Sequence, residues 1–93
     1  GAGSRMTPQI LRDSFAVHIL QNGFSSMDRA GNIIVIKTVP GMAMAVAAAV
    51  DAMHFDGLAG CIAGDDTIMC AVRTIKETDV IMSKLRRLTR TAE

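Results

Sequence analysis

The chain contains no tryptophan and no tyrosine, and phenylalanine occurs only three times. Its 49% hydrophobic content is therefore carried mainly by Ala, Val, Ile, Leu and Met. A chain of 93 residues makes one small domain, which buries only about two thirds of its unfolded surface. That is little room for so much aliphatic side chain. Some of it is expected to face other subunits, and an obligate oligomer is expected.

An excess of one charge is lacking too, since ten Lys and Arg stand against nine Asp and Glu, a formal net charge of +1. This excludes the global basic field of a nucleic-acid-binding module. Lys84, Arg86, Arg87 and Arg90 gather near the C-terminus, where cations complement the dipole of a helix's last turns. Long apolar runs are missing: the longest, Met42 to Val50, stops at Asp51, far short of the roughly twenty residues that cross a bilayer. No membrane segment is expected. In Gly1-Ala2-Gly3-Ser4-Arg5 no apolar core follows a basic start, so residues 1–5 are expected to be a cloning remnant rather than a signal peptide.

Cysteine is scarce. Cys61 and Cys70 lack the close spacing of zinc ligands, and His18 and His54 stand too far off in sequence to complete a set. No metal site is expected, and the thiols are expected to be reduced and half-buried in a cytoplasmic protein. No nucleophile–base pair and no phosphate loop is recognisable, so no catalytic residue is assigned and an enzyme is not expected.

What is present is periodic. Thr7 can cap a helix that begins at Pro8, carries Ile10, Leu11, Phe15, Ala16, Ile19 and Leu20 at helical spacing, and ends at Gly23. It reads as a connector helix over residues 7–22, followed by the main domain over 23–93. His18 lies beside its apolar face. Phe24 to Asp28 and Asn32 to Val39 form a hairpin around an Arg29–Gly31 turn, and Pro40-Gly41 stops the second strand.

Met42 to Met53 reads as an Ala-rich helix whose Met42, Met44 and Met53 serve a core or an interface. A second hairpin and a helix from Ile75 to Leu88 follow, the helix capped by Thr74 with Glu77 completing a capping box. The fold class is α+β: a ββαββα core after the connector helix. It forms a two-layer sandwich with a four-stranded, mainly antiparallel sheet, helices on one face and the other face free to assemble. Strand order stays open.

The most informative local feature is Gly64-Asp65-Asp66-Thr67, two adjacent carboxylates in a turn between apolar Leu58 to Ala63 and apolar Ile68 to Val72. Side-by-side Asp residues repel unless something positive or solvating sits between them, so the turn can hold an amino acid, a guanidinium or a metal. It can equally be an ordinary hairpin turn, because Asp caps local backbone groups. If Gly64 to Thr67 forms the loop, Cys61 and Cys70 become cross-strand neighbours.

The segment Ala30-Gly31-Asn32-Ile33-Ile34-Val35-Ile36-Lys37-Thr38-Val39-Pro40-Gly41 resembles the central strand and turn of arginine repressor C-terminal domains. Gly60-Cys61-Ile62-Ala63-Gly64-Asp65-Asp66-Thr67-Ile68 is similar to that family's ligand-site signature. With the last helix, the resemblance covers about Phe24 to Leu88. It implies a hexamer built from two trimers, with the co-repressor L-arginine bound where they meet and no other cofactor. It also implies a separate N-terminal winged helix, outside these residues, that reads operator DNA of arginine metabolism.

By the same resemblance, Asp65 and Asp66 match paired aspartates that meet the ligand's charged groups across the trimer interface. Asp51 matches a helix aspartate that contacts the ligand's α-amino end. Met44 stands where the family usually offers Gln or His near the ligand, and Cys61 replaces a common Thr. The thioether of Met44 cannot hydrogen-bond an α-carboxylate well, which leaves that contact to a backbone group or water. A constitutive oligomerisation module with a degenerate ligand site, or with a different effector, is the alternative.

Overall fold

Each periodic stretch becomes one element in the computed structural model, which describes residues 8–90. The order is α1 (Pro8–Gly23), β1 (Phe24–Ala30), β2 (Ile33–Thr38), α2 (Ala43–Ala52), β3 (Leu58–Ala63), β4 (Thr67–Val72) and α3 (Ile75–Thr89). The expected Thr7 cap, residues 1–5 and the last three positions of the 23–93 span lie outside the described residues.

The four strands form one antiparallel sheet in the order β1-β2-β4-β3. The second hairpin thus docks its later strand against β2 and leaves β3 at the edge. Apolar content explains the order: Ile34 and Ile36 of β2 and Ile68 of β4 are fully buried, and Cys70 and Val72 of β4 nearly so. These strands gain most from a central place, whereas β1 carries Ser25, Ser26, Asp28 and Arg29 on exposed positions and suits an edge.

The three helices cover the inner face of the sheet, giving the two-layer α+β sandwich. Ala16 and Leu20 of α1, Val46 and Val50 of α2, and Ile81 and Leu85 of α3 join the inner strand residues in one core. Close approach of α1 to α2 depends on Gly23, where an added Cβ would lie 2.6 Å from a Val46 methyl. Thr74 Oγ1 accepts the Glu77 amide at 3.0 Å and donates to the Glu77 carboxylate at 3.0 Å, so α3 starts at the expected capping residues. The one fully buried hydroxyl residue of α3, Thr78, donates to the Thr74 carbonyl at 2.8 Å, which removes the cost of burying it.

Two local expectations are corrected. The first hairpin reverses at Gly31 and Asn32, not over Arg29–Gly31, because β1 continues to Ala30, paired with Ile33. Gly31 adopts φ 64°, and the Asn32 side chain donates to the Val72 carbonyl at 2.6 Å, pinning the turn to β4. Phe15 is 69% exposed rather than part of the apolar stripe. At about 100° per residue it stands off to the side of the stripe made by Ala16, Leu20 and Gly23, beside Ala45, Ala48 and Ala52 of α2, which are too short to cover it.

The outer sheet face is uncovered and apolar. Ile33, Ile62, Met69 and Ala71 line a shallow depression there, with Ile62 81% exposed. Because Leu20 ties α1 into the core with no exposed surface, Leu20→Ala is expected to cost about 2–5 kcal/mol of unfolding free energy, measured by urea denaturation. A change below about 1 kcal/mol would place α1 outside the cooperative unit.

Candidate functional site

The Asp65–Asp66 turn is held by its backbone, which leaves its carboxylates outward. Gly64 donates its amide to the Thr67 carbonyl at 2.8 Å, closing a two-residue hairpin loop. The Asp65 carbonyl accepts the amides of Gly41 at 3.1 Å and Ala43 at 3.2 Å, and the Asp66 carbonyl accepts that of Thr38 at 2.8 Å. The turn is thereby sewn onto the segment from the end of β2 to the start of α2. Met42, at the N-cap of α2, offers no side-chain cap, and the Asp65 carbonyl satisfies the amide of Ala43, the first residue of the helix.

Both aspartates are exposed. Asp66 Oδ1 accepts the Thr67 hydroxyl at 3.0 Å, and Thr67 Oγ1 in turn accepts from Lys37 Nζ at 2.9 Å. Lys37 and Thr67 are register partners across β2 and β4. Among the described residues the Asp65 carboxylate engages no hydrogen bond. Adjacent carboxylates at the positive end of α2 are eased by the helix dipole and by this single lysine, and they retain free acceptor positions for a cation.

Met44 lies on the first turn of α2, next to the amide that holds Asp65, and is 74% exposed. Asp51 follows seven residues later on the same helix face, with exposed Ala48 between them. At 1.5 Å per residue, Asp51 is about 12 Å along the axis from Ala43, near the opposite end of the helix. One protomer therefore brings Met44 to the Asp65–Asp66 turn and brings Asp51 to Cys61, but it does not bring Asp51 to the paired aspartates.

Cys61 and Cys70 are partners in the β3–β4 register, both reduced, and Cys61 donates to Cys70 with the sulfurs 3.1 Å apart. That hydrogen bond, burial and the negative charge of nearby Asp51 all push the Cys61 thiol above its ordinary range. The same hydrogen bond favours the Cys70 thiolate and lowers its pKa. Among the described residues no group of three or more His, Cys, Asp and Glu side chains is arranged to hold a metal. His18 and His54 are both exposed, and His54 follows the end of α2 with φ 51°.

The relay from Lys37 through Thr67 to Asp66 is what sequence reasoning missed. Its only sequence signal is a lysine at the end of a strand and a threonine after the carboxylates. They meet only once β4 is placed beside β2.

Residues 20–87 match the family model of the arginine repressor C-terminal domain. The chain is similar to the arginine repressor of Lachnoclostridium phytofermentans, 64% identical over 72 residues, covering 77% of this chain and 47% of that protein. It is also similar to the arginine repressor of Lachnospira eligens, 60% identical over 70 residues (75% and 46%), and to that of Thermotoga maritima, 50% identical over 60 residues (64% and 40%). The chain thus spans about half the length of these relatives. It belongs to the arginine repressor C-terminal domain family.

Proposed function

We propose that this domain is the effector-sensing and hexamerisation part of an arginine-responsive transcription regulator of arginine metabolism, binding L-arginine between two trimers. The observation that carries the reading is the separation of its carboxylates. Asp65 and Asp66 sit at one end of α2 and Asp51 near the other, about 12 Å away along the helix axis. A ligand with a guanidinium at one end and an ammonium at the other suits these two acidic groups, and a facing copy supplies one of them in the arrangement proposed.

In this arrangement the guanidinium donates to the Asp65 and Asp66 carboxylates, and Asp51 of a facing copy accepts from the α-amino group. Each charge-assisted hydrogen bond contributes about 1.5–3 kcal/mol. Without ligand the facing carboxylates repel. With arginine they are bridged, so the ligand favours the hexamer because it binds that state better than separated trimers. The Cys61 backbone borders the site, and the outer sheet face of Ile33, Ile62, Met69 and Ala71 supplies apolar area for assembly.

Operator binding belongs to the other half of a full-length regulator, whose place of action is the cytoplasm. The names of the relatives designate repressors rather than enzymes. Among the described residues no helix is long and apolar enough to cross a membrane.

A second reading, a constitutive oligomerisation module with a degenerate site or another effector, is favoured by one residue. Met44 presents an exposed thioether where a ligand carboxylate needs a donor.

Sedimentation velocity at low micromolar protein separates the readings. L-arginine is expected to shift the protein toward hexamer or protect the hexamer from dilution, while L-lysine and D-arginine do not. A mass indifferent to all of them supports the constitutive module. Calorimetry on Asp66→Asn is expected to show arginine binding weakened by at least about 1.5 kcal/mol, roughly tenfold, with the trimer still folded. Unchanged affinity would remove Asp66 from the site.

A further inference from the structure

The chain has two cysteines, and the fold sets them opposite each other with their sulfurs 3.1 Å apart. No function described above uses the pair as a pair. Its place in the ladder is chemically specific. The Gly64 amide bonds to the Thr67 carbonyl, which makes Gly64 and Thr67 a hydrogen-bonded pair. Antiparallel pairs alternate, so Ala63 with Ile68 is non-hydrogen-bonded, Ile62 with Met69 is hydrogen-bonded, and Cys61 with Cys70 is non-hydrogen-bonded. The irregularity in the ladder is confined to Leu58 and Gly60 and does not break this alternation.

Non-hydrogen-bonded partners have the closer Cα atoms, about 4.5 Å apart, which lies at the short end of the span a disulfide bridges. Both side chains point to the inner face, and the sulfurs need to approach by only about 1 Å to bond. Cys70 is 1% exposed, whereas Cys61 is half-buried at the edge strand beneath Asp51, so a small oxidant reaches the pair from the Cys61 side.

We propose that Cys61 and Cys70 are a reversible oxidation site, closing a disulfide across β3 and β4 when the protein meets a peroxide. In the first step the Cys61 sulfur attacks hydrogen peroxide. The O–O bond breaks, an S–O bond forms, and Cys61 becomes a sulfenic acid with release of one water. In the second, Cys70 attacks the Cys61 sulfur. The S–O bond breaks, the S–S bond forms, and a second water carries off the remaining thiol proton. Two thiols are oxidised by two electrons and one peroxide is reduced to two waters.

The resolving sulfur is already in contact, so closure outruns further oxidation and attack by a second chain. The raised pKa of Cys61 makes the first step slow at neutral pH, which sets the site apart from an indiscriminately reactive thiol. The bond would staple the hairpin that carries Asp65 and Asp66.

The test is intact-mass spectrometry of the folded protein after hydrogen peroxide, with iodoacetamide and dimedone as probes of thiol and sulfenic acid. The wild type is expected to lose two hydrogens, to take up no iodoacetamide, to form no dimedone adduct and no interchain dimer, and to regain both alkylatable thiols after dithiothreitol. Cys70→Ser, lacking the resolving sulfur, is expected to accumulate the dimedone adduct at Cys61. A wild type that keeps both thiols under conditions that oxidise Cys70→Ser would overturn the proposal. So would a wild type that gives the same dimedone adduct or an interchain dimer.

Discussion

One carbonyl oxygen organises one end of this domain. The Asp65 carbonyl accepts the amides of Gly41 and Ala43, and so joins the β3–β4 turn to the first turn of α2. Helix α2 starts after Met42 without a side-chain cap, and the amide of its first residue, Ala43, would be orphaned if the turn were elsewhere. Because the backbone of the turn satisfies the helix, the two carboxylates remain outside, held in place yet with acceptor positions free. The Thr38 amide on the Asp66 carbonyl completes the attachment and carries the register of β2 into the site.

From that attachment the division of the site follows. Helix α2 acts as a spacer about three turns long, with Met44 and the paired aspartates at its start and Asp51 and the thiols at its end. Its inward face is filled by Val46 and Val50, which lock it over the sheet. The outward face carrying Met44, Ala48 and Asp51 is thus presented as a rigid strip. In the proposed function this strip is a half-site, and two half-sites facing each other make a whole one. The uncovered apolar sheet face is in keeping with a chain that has more aliphatic surface than its own core can enclose.

Most elements were readable because their signals are local. Thr74 followed by Glu77 marks the start of α3, Pro8 and Gly23 bracket α1, and Pro40-Gly41 separates β2 from α2. The features that were not readable are those that depend on which strands become neighbours. Strand order decides that Lys37 meets Thr67, and the sequence holds no local record of that pairing. The Gly31–Asn32 turn was misplaced because Arg29 and Ala30 look like turn residues until their pairing with Ile34 and Ile33 is seen. Phe15 shares the helical apolar spacing but stands to the side of the buried stripe, beside alanines of α2 too short to cover it. For the site, Asp51, Asp65 and Asp66 were singled out together by resemblance, but their separation along α2 became visible only in three dimensions.

In the proposed function one arginine site takes Asp66 from one copy and Asp51 from a facing copy, and calorimetry on mixed assemblies tests that sharing. Asp51→Asn and Asp66→Asn trimers, each impaired alone, would be mixed in equal amounts and allowed to exchange. In a hexamer containing one trimer of each kind, half the sites receive both native aspartates, so the mixture is expected to regain tight binding at up to about half of the wild-type stoichiometry. A mixture that shows exchange of trimers yet binds no better than either variant alone would contradict a site shared across the interface.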